Sequence, residues 1–353
     1  MTELEKIEKR TERNEDGHEI IDVTISMPRG DGKLPKYKKS TDIRYFTEHN
    51  LTLAEKKYYT EYYGVSIEFL SQQVLNDPDL PNLKSIVLGF WDGEIYGLCP
   101  ETFLNMIIKN KEKFQHIEGL FIGDMEYTEN ECSWINQTNY EGLLNALPNL
   151  KSLRIRGSLQ LDLGTIDHQG LEEIEIITGG LHVGVVNSLK AANLPNLQKL
   201  ALWLGVEDYG YDCQISDFAE LAKKERFPKL KYLGFMNFDV AIQADLISVI
   251  LESDLLPQLE VIDVSCGTII NKGGQLILDA AESGKLSHIK KLVASHHYMT
   301  SDFVTKLEAL PFEVDVSDGQ GLSDEELLEN YALLESTDED DRWEADIFPM
   351  ITE

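Results

Sequence analysis

Asn237, Cys266 and His296 fall at the same phase of three successive leucine-spaced segments, with Asp263 and His297 nearby in the chain. Thiol, imidazole and carboxylate together are the donor set for a soft divalent metal or for thiolate chemistry. Adjacent strands lie about 4.8 Å apart, so the same three side chains can instead stack as a hydrogen-bonding ladder that satisfies loop amides. His296 and His297 are consecutive, and consecutive residues of an extended strand point to opposite sides, which weakens a two-histidine site. A second group has binding chemistry. Phe121, Ile177, Trp203 and Met236 are large apolar residues at alternating strand positions, interleaved with Arg154, Arg156, Glu175 and Asp263. Aromatic, methionine and arginine side chains together are the composition of a protein-binding hot spot. Their alternative fate is burial, with other parts of the chain folded over them.

Motifs with a defined mechanism are missing. The sequence has no Gly-x-Ser-x-Gly elbow and no His-Glu-x-x-His helix. Gly30-Asp31-Gly32-Lys33 lacks the spacing of a phosphate loop. The acids of 124–131 and 208–212 lack calcium-loop spacing and read as rim loops, whose tyrosines and Trp134 could extend a binding surface. The expectation is a protein without catalytic residues, metal or cofactor.

The elements that carry these residues follow one pattern, L-x-x-L-x-L. It occurs as Leu83-Ile86-Leu88, Ile117-Leu120-Ile122, Leu150-Leu153-Ile155, Leu171-Ile174-Ile176, Leu197-Leu200-Leu202, Leu230-Leu233-Phe235, Leu259-Ile262-Val264 and Ile289-Leu292-Ala294, with a weaker ninth unit at Val314 and Val316. The intervals, roughly 20–35 residues, leave room for a strand and a helix in most units. Helices are expected over 67–76, 100–110, 140–146, 217–224, 241–252, 274–283, 301–309 and 324–334, with Ser66, Ser216 and Ser323 as caps. The unit before Leu171 is short and glycine-punctuated, with little room for a helix. Each unit has an apolar face that only its neighbours can cover. The expected fold is α/β: a leucine-rich-repeat right-handed horseshoe solenoid with a concave parallel sheet and convex helices, capped at both ends. Its divisions are an N-terminal capping region, 1–79, with strands at 20–27 and 43–46; a solenoid of about nine repeats, 80–319; and a capping helix with an acidic tail, 320–353. The residues between the motif positions then face the concave groove.

The chain has 353 residues, 62 acidic and 32 basic, for a formal net charge of −30. Such a field repels phosphate backbones and anionic lipid, which argues against nucleic-acid and membrane partners and favours a basic protein. Cys99, Cys132, Cys213 and Cys266 are widely spaced, as expected of reduced thiols rather than a zinc ribbon. A polar N-terminus and the lack of any run of about 18 apolar residues suggest a cytoplasmic protein.

Several stretches are not demanded by leucine spacing: ECSWINQT at 131–138, TGGL at 178–181, LALWLGVEDYGYD at 200–212, VSCGTIINKGG at 264–274 and ASHHYMT at 294–300. In this order they resemble a little-characterised bacterial family of cytoplasmic leucine-rich-repeat proteins with ribonuclease-inhibitor-like repeats. The resemblance covers about residues 80–319 and implies fold and compartment, with no catalytic site to carry over. The asparagine of the general repeat consensus is replaced by Trp91, Met125, Ser158, Gly179, Gly205, Phe238, Gly267 and His297. The functional expectation is a protein-interaction scaffold holding a macromolecular partner on the concave face around Trp203 and Arg156. One alternative is an acidic inhibitor or immunity-like protein that neutralises a basic toxin or nuclease; another is a metal- or thiol-dependent site at Cys266 and His296.

Overall fold

The computed structural model describes residues 6–13, 19–26, 55–60, 67–91, 98–125, 129–336 and 345–351. The expected strand at 43–46 and the basic loop at 27–39 lie outside them. The chain divides into two compact units, one of Met1–Ile177 with Ala191–Leu194 and one of Thr178–Lys190 with Pro195–Glu353.

In the first unit β1 (Lys6–Arg13) runs antiparallel to β2 (Glu19–Ser26), which pairs in parallel with β3 (Glu55–Thr60). The parallel series continues through β4 (Ser85–Gly89), β5 (Gly119–Asp124), β6 (Ser152–Arg156) and β7 (Glu173–Ile177). Helices α1 (Ile67–Leu75), α2 (Glu101–Lys109) and α3 (Glu141–Ala146) alternate with these strands and pack side by side. The N-terminal strands β1 and β3 are additions to the sequence-based expectation, and β3 extends the sheet by pairing with β4.

The second unit repeats the plan. Parallel strands β8 (Lys199–Gly205), β9 (Tyr232–Phe238), β10 (Val261–Asp263), β11 (Lys291–Val293) and β12 (Glu313–Asp315) pair in chain order. Between and after them come α5 (Ile215–Leu221), α6 (Gln243–Glu252), α7 (Asn271–Glu282), α8 (Ser301–Glu308) and α9 (Asp324–Leu334), with α4 (Val183–Ala191) before β8.

Register explains why the leucine spacing builds a core. Ile86, Leu120, Leu153 and Ile174 are opposite one another in β4 to β7, and Leu200, Leu233, Ile262 and Leu292 in β8 to β11. All are buried, so each leucine is roofed by its equivalent in the next repeat. Truncating one to alanine costs about 2–5 kcal/mol, the usual range for a core leucine that the surroundings cannot replace.

Local signals meet tertiary packing unevenly. Ser323 accepts from the Glu326 amide while the Glu326 carboxylate accepts from the Ser323 amide, a complete capping box at the start of α9. At α5 the cap is Gln214 with Asp217, and the helix starts before the expected Ser216. Helix α4 was not expected, because VGVVNSLKA contains glycine and three valines or their like at positions of weak helix propensity; Val185, Val186 and Leu189 bury one face and hold it. The stretch 157–170 has no helix, as its glycine punctuation predicts, and is tied to the preceding loop by bridges Asn136–Leu159 and Asn139–Asp162. Among the described residues no helix is long and apolar enough to cross a membrane.

The end of β8 is sterically closed. Gly205 has φ +72°, and a Cβ there would lie 1.7 Å from the Gly179 carbonyl oxygen. Gly180 and Gly205 form an antiparallel bridge, so the TGGL segment rests directly on the LALWLG strand. Gly205→Ala is expected to lower stability in urea unfolding by more than about 2 kcal/mol, combining left-handed strain with backbone overlap. Gly210→Ala, with φ +98° but nothing within 4 Å of the added carbon, is expected to lose only about 1 kcal/mol.

Candidate functional site

The interleaved residues stand in the rows that alternation predicts. Phe121, Arg154 and Glu175 are opposite one another in β5 to β7, and Arg156 is opposite Ile177. In the second unit Ala201, Gly234 and Asp263 share a row, and Trp203 is opposite Met236. Their exposure differs from the expectation of an open hot spot. Phe121, Arg154, Glu175, Ile177, Trp203, Met236 and Asp263 are all buried, and Arg156 is half-buried. Alternation assigns a residue to a sheet face; it does not say whether that face is covered, and here it is.

In the first unit the buried row is a charge pair with an aromatic neighbour. The Arg154 guanidinium lies 4.6 Å from the Phe121 ring centroid, and its Nε is 3.4 Å from Glu175 Oε2. Cation and carboxylate are taken out of water together, which limits the desolvation cost of either alone. The second unit has an analogous group that leucine spacing did not single out. Lys199 is buried with its Nζ 4.7 Å from the Tyr232 ring, and Tyr232 Oη donates to Asp263 Oδ2. Asp263 Oδ1 accepts from the Ser265 amide at 3.0 Å and from the Ser265 hydroxyl at 2.6 Å. Lys199 and Tyr232 sit two residues before Ala201 and Gly234, so the same alternation applied one step earlier along each strand would have found them. Burial pushes the Asp263 carboxyl above the ordinary aspartate range, against the hydrogen bonds from Ser265 and Tyr232.

Asn237, Cys266 and His296 form a ladder through their main-chain amides and not through the expected stack of side chains. All three have left-handed backbone, φ 54°, 61° and 54°, as does Asp318 at 56°. The Asn237 amide donates to the Ser265 carbonyl, the Cys266 amide to Ser295 and the His296 amide to Ser317, each at 3.0 Å. The side chains turn to different tasks. The Asn237 carboxamide binds the backbone of Ile351, the Cys266 thiol is 3.6 Å from Ser265 Oγ, and His296 Nδ1 is 2.8 Å from Gln320 Nε2. His297 faces away, with Nε2 3.0 Å from the Val316 carbonyl and Nδ1 accepting from the Met299 amide. Among the described residues no three His, Cys, Asp or Glu side chains are grouped to hold a metal ion. The Cys213 thiol is also buried and donates to the Leu181 carbonyl, and burial pushes its pKa up to about 12.

The rim loop at 129–139 is built on buried polar contacts. Gln137 is fully buried, donates from Nε2 to the Arg156 carbonyl at 2.6 Å and accepts from Tyr140 Oη at 2.6 Å; its amide donates to the Leu159 carbonyl at 2.7 Å. This anchor holds Trp134 and Leu159 at the edge with 45% and 38% of their surfaces exposed. Trp134 is the rim residue that the sequence points to, whereas Leu159, bridged to Asn136 on the same loop, is not anticipated by it.

Asp263 gives a pH-dependent expectation. Its folded pKa is raised, so the folded state holds the proton more tightly than the unfolded chain does; the associated stability is complete below the ordinary aspartate range and is lost as pH rises toward the folded pKa. Asp263→Asn removes that ionisation. The melting temperature of the variant relative to wild type is expected to rise between pH 3 and pH 7; a difference that stays flat or falls would contradict the buried-carboxyl reading.

No family model matches this sequence, and no curated protein matches it. Among solved structures, a Bacteroides fragilis protein determined by crystallography as a structural-genomics target is similar, with 40% identity over 71% of this chain and 70% of that one and a TM-score of 0.68. At that identity and coverage, the chain belongs to the same family as the Bacteroides fragilis protein.

Proposed function

We propose that this chain is a non-enzymatic, ribonuclease-inhibitor-like leucine-rich-repeat protein that binds a basic protein partner at the edge of its first unit, around Trp134 and Leu159. The repeat assignment rests on the in-register stacking of the L-x-x-L-x-L residues, each buried beneath its equivalent in the next strand. The observation that carries the binding reading is a half-exposed tryptophan on a loop anchored by Gln137, whose amide donates to the carbonyl of the exposed Leu159. A rigid aromatic anchor loses little conformational freedom on binding and is the residue type that dominates interface energies.

The partner's charge follows from the setting. Glu129, Glu131 and Asp162 flank the anchor, and the whole chain carries −30. A basic partner is steered toward such a surface and sensitive to salt, which also supports the narrower alternative of an acidic inhibitor or immunity-like protein. Phe121, Trp203 and Met236 are assigned to internal packing in this reading, and Arg156 stays at the margin of the contact surface.

The test is affinity capture from the native host, with identified partners remeasured as purified proteins. Trp134→Ala with Leu159→Ala is expected to weaken binding at least about 30-fold, consistent with loss of a hot-spot aromatic, while leaving the melting temperature within a few degrees of wild type. Raising NaCl from about 50 to 300 mM is expected to weaken it at least about tenfold through screening. A partner held equally by the folded double variant, or indifferent to salt, would overturn the proposal.

A further inference from the structure

The C-terminal segment 345–351 lies against the ladder at Asn237, Cys266 and His296, and the contacts are made mainly to its backbone. The Asn237 carboxamide forms a reciprocal pair with Ile351: Nδ2 donates to the Ile351 carbonyl at 2.8 Å and Oδ1 accepts from the Ile351 amide at 2.7 Å. The Met350 amide donates to the Cys266 carbonyl at 2.8 Å. The Tyr298 hydroxyl forms a second reciprocal pair, accepting from the Phe348 amide at 3.1 Å and donating to the Phe348 carbonyl at 2.8 Å. Asn330 Oδ1 accepts from the Asp346 amide at 2.6 Å. Four residues of the segment are thus read through main-chain groups, which any extended peptide presents.

Side chains of the segment alternate strictly. Ala345, Ile347 and Pro349 are buried, whereas Asp346, Phe348 and Met350 point outward, the last two with 51% and 58% of their surfaces exposed. Ile347 enters a cluster with Tyr298 and Leu327, the latter on α9. Main-chain hydrogen bonds along the ladder with one aliphatic pocket between them are the two components of extended-peptide recognition: backbone bonds supply affinity and alternate pockets supply selectivity. The polar side chain at the end of the track is buried completely, so its bonds to Ile351 form out of water, where an unmet donor or acceptor is costly.

We infer that the ladder Asn237–Cys266–His296 with Tyr298 is a binding track for an extended peptide whose alternate residues are small, aliphatic and proline, and that the chain's own C-terminal segment fills this track in cis. The site is separate from the Trp134 edge and stands without it. An incoming partner segment of the same alternation competes with a tethered one whose local concentration is of millimolar order, so the track opens to it when the tethered segment is weakened.

The experiment uses the full-length chain and a fluorescein-labelled peptide of residues 343–353, WEADIFPMITE. Two variants weaken the tethered segment in different ways. Ile347→Asp places a charge in the apolar pocket, and Met350→Pro deletes the amide bonded to Cys266 at an exposed position. By fluorescence anisotropy the peptide is expected to bind each variant at least tenfold more tightly than wild type. Adding Asn237→Gly to Met350→Pro removes the carboxamide but keeps a residue suited to left-handed backbone, and is expected to weaken binding at least tenfold. A peptide carrying aspartate in place of Ile347 is expected not to bind. Equal peptide binding by wild type and variants, no binding to a Met350→Pro chain that melts like wild type, or binding unaffected by Asn237→Gly would each overturn the inference.

Discussion

Each repeat of the second unit has to end its strand in a way that lets the next repeat lie in register beside it. The solution is a left-handed residue whose amide donates to the carbonyl just before the equivalent residue in the neighbouring repeat. Asn237, Cys266 and His296 make this hand-over in succession, each at 3.0 Å. Strand pairing alone would leave these amides at the strand ends without a fixed acceptor. The turn fixes the register that stacks Leu200, Leu233, Ile262 and Leu292, and so the core of the unit depends on it. A left-handed conformation costs a β-carbon-bearing residue about 1–2 kcal/mol, and asparagine and histidine are among the side chains that tolerate it best. Three such residues in sequence are therefore held by the bonds around them.

The same turns create a line of polar groups at the edge of the sheet, and the C-terminal segment uses it. Asn237 does both jobs, its main chain continuing the ladder and its side chain receiving Ile351. Away from this edge, the sheet face opposite the leucines carries charges that are buried in pairs. Arg154 pairs with Glu175 beside the Phe121 ring in one unit, and in the other Lys199 lies over the Tyr232 ring, whose hydroxyl donates to Asp263. Such groups add less to net stability than apolar residues of the same volume, but they penalise any packing in which one member is separated from its partner.

Most of the architecture was legible in the sequence. The leucine spacing located the strands from β4 to β12, their order within each unit and the row to which each intervening residue belongs, because a period of two is imposed by the backbone itself. Helix α4 escaped because its glycine and valines carry little helical preference and are held by packing. The stretches unrelated to leucine spacing were recognisable as unusual without revealing their work. Gln137 in ECSWINQT anchors a loop, TGGL is the close contact with Gly205, Thr268 in VSCGTIINKGG donates to the Phe238 carbonyl, and Tyr298 in ASHHYMT receives the C-terminus. Each joins residues 19 to 50 positions apart, a distance over which local pattern carries no information. The burial of Trp203 and Met236 belongs to the same class: alternation gives a side, and only the folded chain gives its cover.

Native-state hydrogen exchange on the full-length chain tests most directly whether the left-handed ladder and the segment bound to it form one structure. The amides of Asn237, Cys266 and His296 report the ladder, and those of Phe348, Met350 and Ile351 report the segment. All six are expected to exchange at least about a hundredfold more slowly than in a free peptide, with the three C-terminal amides opening together as one local unit. Exchange of Phe348, Met350 and Ile351 at free-peptide rates while the ladder amides stay protected would contradict the account.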